Sequence, residues 1–362
     1  MISRIRDLVS GSINRISENH LISVHRKMAL SSLKEHGECC KLTKQEIKAI
    51  DSLWKPIGYR GKGEWHRLYK ATNSFDARYV PNDVYGLEIW PRLNATNLIP
   101  AWDDKAYYSR FFPEVKQPGV IAFMIDGLFY DKDYKIADIE SVSKTILKGF
   151  DKIIVKPSYG MEGRGVELIE TGKHDYISLK EKLQNFGTNY VVQQVVEQHE
   201  SLAIYNDSSV NIIRVYTLRL NGKLHHLHST LRFGTPGFHT DVNFIKGKEI
   251  AHVCAVNKAG KVAKEWYDMD GRRNLISDLG IEKQMDIPNF SKIIDTALTV
   301  HEGLQHFDIV GFDITLDRHK EPVLIEYNVY WPGIILPQYC NGPLFGDLTE
   351  EVIIQLLSKS KK

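Results

Sequence analysis

The chain has 362 residues and a mass of 41.5 kDa, enough for roughly two domains of about 150 residues each. Hydrophobic residues make up 43% and charged residues 25%, which excludes collagen, coiled coil and wholesale disorder. Forty-seven Lys and Arg against 45 Asp and Glu leave +2, so no overall field calls for nucleic acid. No apolar run reaches the ~20 residues of a membrane span, and no secretory apolar segment follows Arg4 and Arg6. Cys39, Cys40, Cys254 and Cys340 are too scattered for a disulfide framework. The expectation is a soluble cytoplasmic protein.

Ile2, Ile5, Val9, Ile13 and Ile16 share one helical stripe, and Leu21, Val24, Met28 and Leu33 form a second apolar set. Between residues 2 and 34, six Lys or Arg stand against Asp7 and Glu18. That composition fits an anionic membrane surface, or helices packed on the protein with a solvated basic face. Thr43-Lys44-Gln45-Glu46 reads as a capping box ahead of Ile47, Ile50, Leu53 and Trp54. Residues 55–118, rich in Trp, Tyr, Pro and Asn, read as short elements and loops. Strands are expected at 120–125, 152–157, 166–170 and 190–196, with a helix at 178–186. Asn221-Gly222 between the strands 210–220 and 223–233 is a hairpin signal. A helix at 288–304 precedes strands at 309–316 and 322–329.

Two stretches carry chemistry. Lys156 ends a strand, and Gly160, Gly163 and Gly165 open the loop that follows. Glycines let backbone N–H groups approach an anion, and a lysine supplies a point charge for phosphate. No Gly-Lys-Ser/Thr opens a helix, and G-x-x-G-x-G before a strand is not the dinucleotide fingerprint. Alone, the stretch fits a glycine-rich hairpin turn equally well. In the second stretch, pairing Leu316 with Val323 across a polar turn puts Asp313 opposite Glu326, with Asn328 on the same face. Facing like charges destabilise a bare sheet, so this face wants a cation. Hard oxygen ligands suit Mg²⁺; a solvated strand face is the alternative.

Together these stretches resemble the ATP-grasp superfamily. Gln194 to His199, Ser208 to Leu218, Leu231 to Gly234, Phe312-Asp313, and Glu326-x-Asn328 before Trp331-Pro332 are similar to its sugar-transfer-associated family, relatives of the teichuronopeptide-biosynthesis type. Pro91 to Asn94 and Trp102 to Lys105 fit as well. The resemblance implies an α+β ATP-grasp fold, two α+β subdomains gripping ATP, behind an N-terminal helical region. The implied boundaries are 1–100 for the helical and irregular region, 101–195 for the lid and 196–362 for the C-terminal subdomain. Lys105 and Lys156 would hold phosphates beneath the loop of Gly160, Gly163 and Gly165. Gln194 and Val196 would read adenine, and Glu197 or Asn211 the ribose. Arg214 and Arg232 would be catalytic, steadying the γ-phosphate and an acyl-phosphate, and Asp313, Glu326 and Asn328 would hold Mg²⁺.

The implied activity is an ATP- and Mg²⁺-dependent carboxylate–amine ligase acting on a sugar carboxylate in capsular or surface polysaccharide biosynthesis, at the periphery of polysaccharide-synthesis enzymes. A peptide or amino-acid ligase, or a non-catalytic ATP-binding module, are the alternatives. The acceptor is expected near Asp241 and Asn243, or at Arg272 and Arg273, where a cationic loop carries Trp266 and Tyr267. Stacking of a sugar on Trp54, Trp65, Trp90 or Trp102 competes with ordinary core packing. His225, His226 and His228 alternate along a strand and cannot converge as three zinc ligands.

Overall fold

The computed structural model describes residues 2–37, 40–160, 163–245, 248–282 and 286–359. The chain opens with one continuous helix, Ile2–Glu35, about 50 Å long at 1.5 Å per residue. Its inner face carries Ala29 and Leu33, which pack with Trp65, Leu68, Tyr69 and Tyr339. Val24 and Met28 of the expected stripe are 46% and 41% exposed. The rotation follows from partners elsewhere: Asn82 bonds His25 at 3.2 Å, and Arg26 bonds the Arg60 carbonyl and approaches Glu64. The helix Lys44–Trp54 starts at Thr43, where both arms of the capping box form.

Five strands form the first sheet: β1 (Val120–Ile125), β2 (Leu128–Asp131), β3 (Lys152–Pro157), β4 (Glu167–Glu170) and β5 (Tyr190–Gln194). They run antiparallel in the order β2-β1-β5-β3-β4. The helices Ile139–Gly149 and Tyr176–Asn185 cover one face, each started by an aspartate side chain, Asp138 and Asp175. Ile153 and Val155 point into that helix-covered core with Ile146, Leu179 and Leu183. The period of two sends Ile154 and Lys156 to the other face.

The second sheet holds seven strands. Its centre is the hairpin of β6 (Ile212–Leu220) and β7 (Lys223–Phe233), turning at Asn221-Gly222. After the small hairpin β8 (Asn243–Ile245) and β9 (Lys248–Ile250) come β10 (His252–Val256), β11 (Val262–Tyr267) and β12 (Arg273–Leu275). The sheet closes with β13 (Ile309–Leu316) and β14 (Pro322–Asn328), in the order β12-β11-β10-β7-β6-β13-β14. The helix Phe290–Gly303 buries Ile293, Ala297 and Val300 in the core beside it. Trp54, Tyr85, Trp90 and Phe112 belong to the same core as Val215, Leu218, Phe312 and Tyr327. Among the described residues, no helix is long and apolar enough to cross a membrane.

Asn94 fastens the N-terminal region to this sheet. Fully buried, it donates to the carbonyls of Ile309 and Val329, each at 2.9 Å, and accepts from the Ile309 N–H at 3.0 Å. Asn94→Ala strands the buried Ile309 N–H and carbonyl, while the Val329 carbonyl keeps the Trp90 indole N–H, and should cost about 2 kcal/mol or more. Urea unfolding would read this as a lower midpoint at unchanged slope; an unchanged midpoint would mean that the clamp carries no stability.

Candidate active site

The two sheets face each other across a cleft of about 710 Å³. One end is apolar, with Ile154 and Leu168 from the five-stranded sheet and Ile212 and Ile325 from the other. Gln194, Val195 and Val196 cross between the sheets there, with the Gln194 N–H held by the Gly119 carbonyl at 2.8 Å. Gly160 and Gly163 line the roof. Gly163 has φ +66°, and a Cβ there would lie 3.0 Å from the Thr240 side chain of the opposite side, so the left-handed backbone favours glycine.

The middle of the cleft is charged. Arg214 on β6 lies directly across from Asp313 on β13 and grips it with two bonds, Nε to Oδ1 at 2.6 Å and Nη2 to Oδ2 at 2.5 Å. Arg232 approaches the same carboxylate at 3.6 Å and bonds Asp241. Lys105 donates to Glu326 at 2.8 Å and to the Gly160 carbonyl at 3.0 Å. Asn328 Nδ2 lies 3.4 Å from Asp313 Oδ2. Burial alone would raise the Asp313 pKa, but Arg214 and Arg232 outweigh it and hold the carboxylate below its ordinary range. Burial and the neighbouring Lys105 charge push Lys156 down to about 8, against the pull of Glu326 and Asp313. Asp103 is raised to about 7 by burial, which Lys105 partly offsets and Glu326 reinforces.

Asp313 does face Glu326, yet the hairpin reaches that register by another route. Leu316 pairs with Pro322, not Val323, and an extra residue on β14 between Leu324 and Glu326 shifts the ladder by one. That bulge turns Ile325 and Glu326 toward the cleft together. Asp313, Glu326 and Asn328 offer two carboxylates and an amide. Among the described residues no cluster of three His, Cys, Asp or Glu assembles. Arg214 holds both Asp313 oxygens and Lys105 holds Glu326, so a hard cation such as Mg²⁺ on this set would share those oxygens and need further ones, which phosphates would supply.

Other expected residues lie elsewhere. Asn211 is fully buried beneath the cleft, its Nδ2 within 3.1 Å of Gln198 Oε1 and of the Leu202 and Asn206 carbonyls. It staples the turn before β6 and is not in the cleft wall. Glu197 does line the rim, where it pairs with Arg318 at 3.0 Å. Asp241 reaches the wall, whereas Asn243 ties its own loop to Thr235 and Thr240. Gly165 sits behind the roof against Pro157. Arg272 is spent on Asp268, Asp270 and Glu35, which pins the loop to the first helix, and Arg273 is an exposed residue of edge strand β12. Neither lines the cleft. Tyr216, Asn82 and Trp331 line it without having been singled out as site residues. For Tyr216 a signal existed, since Arg214-x-Tyr216 places both on one strand face.

Lys156 generates a pH prediction. It is charged below about pH 8 and neutral above. A bound phosphate favours the charged form, so binding above that pH takes up a proton. Affinity for a non-hydrolysable ATP analogue should be level near pH 7 and fall about tenfold per unit above pH 8. Lys156→Met should bind about 1.5–3 kcal/mol more weakly and lose this pH dependence. Calorimetric titration from pH 7 to 9.5 checks both.

No curated protein sequence matches the chain. Among solved structures it is similar to the L-amino acid ligase of Bacillus licheniformis, at 13% identity over 72% of this chain and 48% of that one, TM-score 0.38. The VanG D-Ala:D-Ser ligase of Enterococcus faecalis follows at 12%, 71% and 61%, TM-score 0.44. The D-cycloserine synthetase DcsG gives 10%, 87% and 94%, TM-score 0.41. The chain thus spans about half to two thirds of the length of the first two. The family of sugar-transfer associated ATP-grasp proteins matches residues 87–352. That segment is most of the chain and contains both sheets, so the chain belongs to the sugar-transfer associated ATP-grasp family.

Proposed function

We propose that the protein is an ATP- and Mg²⁺-dependent carboxylate–amine ligase that attaches an amino acid or other amine to a sugar carboxylate in surface or capsular polysaccharide biosynthesis. The observation that carries this reading is the convergence of Lys105, Lys156, Arg214 and Arg232 with Asp313, Glu326 and Asn328 on one cleft. Lys105, Lys156, Arg214 and Arg232 converge on the middle of the cleft, where the negative charge of a triphosphate would meet all four. In this reading the lid, 101–195, closes over the nucleotide on the subdomain 196–362. Ile154, Leu168 and Ile212 enclose adenine while Gln194 and the Val196 backbone read its edge. Lys105 and Lys156 hold the phosphates from two sides. Mg²⁺ at Asp313, Glu326 and Asn328 would neutralise charge that develops between the β- and γ-phosphates.

Arg214 and Arg232 offer planar forks that match both a phosphoryl group and a carboxylate. They bring the acceptor carboxylate in line with the γ-phosphate, and an oxygen of that carboxylate displaces ADP. The amine then attacks the acyl carbon; phosphate leaves and carries the amine's proton. The roof of Gly160 and Gly163 keeps water from the acyl-phosphate, which would otherwise hydrolyse. Work in the cytoplasm, beside membrane-bound polysaccharide-synthesis enzymes, would supply both ATP and acceptor.

Incubation with ATP, candidate amines and uronic acids, reading ADP release and product mass, tests the reaction. ADP without an amide of the expected mass would overturn the ligase assignment. Glu326→Gln keeps the shape and removes one negative charge, so it should abolish Mg²⁺-dependent ADP formation while folding and most of the ATP affinity remain. Equal activity in that variant would take Glu326 out of the metal site.

A further inference from the structure

Past the arginines, the cleft continues into a chamber with a different chemistry. Strand β6 lays out its axis: Ile212, Arg214 and Tyr216 face the cleft in turn, so Tyr216 lies roughly 7 Å beyond Arg214 along the strand. Tyr216 bonds the Gly333 carbonyl at 2.7 Å, which ties the strand to the segment after β14. That segment contributes Tyr330 and Trp331, β7 contributes Thr230, and Asn82 and Met269 complete the wall. None of these six side chains carries a charge.

Trp331 is held in place at a cost. Its φ is +42°, a left-handed conformation disfavoured for a bulky residue and more so before a proline such as Pro332. Its ring lies over Gly86, where a Cβ would fall 1.7 Å from the indole. His25, Tyr85 and Trp90 surround it at ring distances of 5.5, 6.3 and 5.6 Å. Backbone strain in an over-determined aromatic is characteristic of ligand clamps.

Asn82 is the second observation. It is 5% exposed, one end of its amide meets His25 at 3.2 Å, and the other end, Oδ1, has no partner. Turning the amide over would leave an N–H₂ at the same place, so one polar end stays unmatched either way. An unmatched buried amide costs free energy, which a ligand hydroxyl can recover. His25, Asn82, Tyr85 and Gly86 all precede residue 87, where the family match begins.

We infer that this chamber, built by Trp331, Asn82, Tyr330, Tyr216, Thr230 and Met269, binds the uncharged, hydroxyl-bearing ring of the acceptor. The inference rests on the ligase reading for the acceptor's orientation, with its carboxylate at Arg214 and Arg232. An aromatic wall takes the C–H face of a sugar ring, while an amide and hydroxyls take its edge; a wall without charge disfavours a second ionised group. The chamber replaces the loop of Arg272 and Arg273 as the place where the acceptor is selected.

The test uses the full chain with a non-hydrolysable ATP analogue and Mg²⁺ present, and methyl glucuronoside as probe. Saturation-transfer NMR should show its ring protons in contact with the parent protein. Trp331→Leu and Asn82→Ala should each weaken it at least tenfold, with affinity for the ATP analogue changed less than twofold. Asn82→Ala leaves the aromatic packing intact and decides the case if Trp331→Leu does not fold. No binding to the parent, or equal binding to both variants, overturns the chamber. If the binding pattern holds but no amide forms with any amine, the ligase reading fails and the chamber stands. If amide forms at an unchanged acceptor KM in both variants, the ligase reading stands and the chamber fails.

Discussion

The buried pair of Arg214 and Asp313 is the constraint around which the cleft is arranged. The two residues sit opposite each other on neighbouring interior strands of the larger sheet, and an ion pair there must recover a desolvation cost of several kcal/mol per ion. It does so by extension. Arg232 shares Asp313 and passes charge to Asp241. Lys105 meets Glu326 and the Gly160 carbonyl, which brings the glycine loop into the same network. Lys156 is buried with no carboxylate bonded to it, and burial lowers its pKa. Such a network is preorganised, since moving one charge would leave another buried and unmatched. A cleft so built can stabilise a transferring phosphoryl group without rearranging at the moment of reaction.

The N-terminal third is part of this construction. Its short helices contribute Trp54, Tyr85, Trp90 and Phe112 to the core of the seven-stranded sheet, and Asn94 bonds strand β13 and the end of β14 directly. Gln338 repeats the device: its Nε2 meets the Tyr69 hydroxyl and the Val80 carbonyl, and its Oε1 takes the Val80 and Leu344 N–H groups. Buried amides of this kind satisfy irregular backbone that no sheet ladder can reach. They let loops rather than strands form one wall of the cleft, and loops are where specificity can diverge on a constant scaffold. The first helix backs that wall through His25, which packs against Trp331, and its C-terminal end is held by Asp270 through Ser32 and His36.

Much of the fold was legible in the residues. Strands written as short apolar runs, such as Lys152–Pro157 and Ile309–Leu316, lie where the pattern puts them, because a short bounded apolar run suits a strand that is covered on both faces. The Thr43 cap and the Asn221-Gly222 turn are equally local and equally readable. Lys105, Lys156, Arg214, Arg232, Asp313, Glu326 and Asn328 stand out by spacing and by family resemblance, and the fold brings them to one cleft. The strands β10 to β12 are short and carry little period of their own, so the residues did not mark them.

What the sequence by itself determined was therefore local periodicity and the type of chemistry: basic residues, glycines and paired oxygen ligands on a sheet scaffold. Tertiary structure alone decided the rest. The bulge at Ile325 restored a register that simple counting had reached by the wrong pairing, because a one-residue slip depends on what the opposite strand and the cleft must present. The burial of Asn211 and the ion pairs of Arg272 depended on neighbours distant in the chain, Leu202 and Glu35 among them. Trp331 became a cleft residue only because Gly86, some 245 positions earlier, leaves room beneath it. A polar or aromatic side chain has the same chemistry wherever it stands. Whether it is a staple, a latch or a binding wall depends on which other segments the fold packs against it, and that information is not local to any stretch of the sequence.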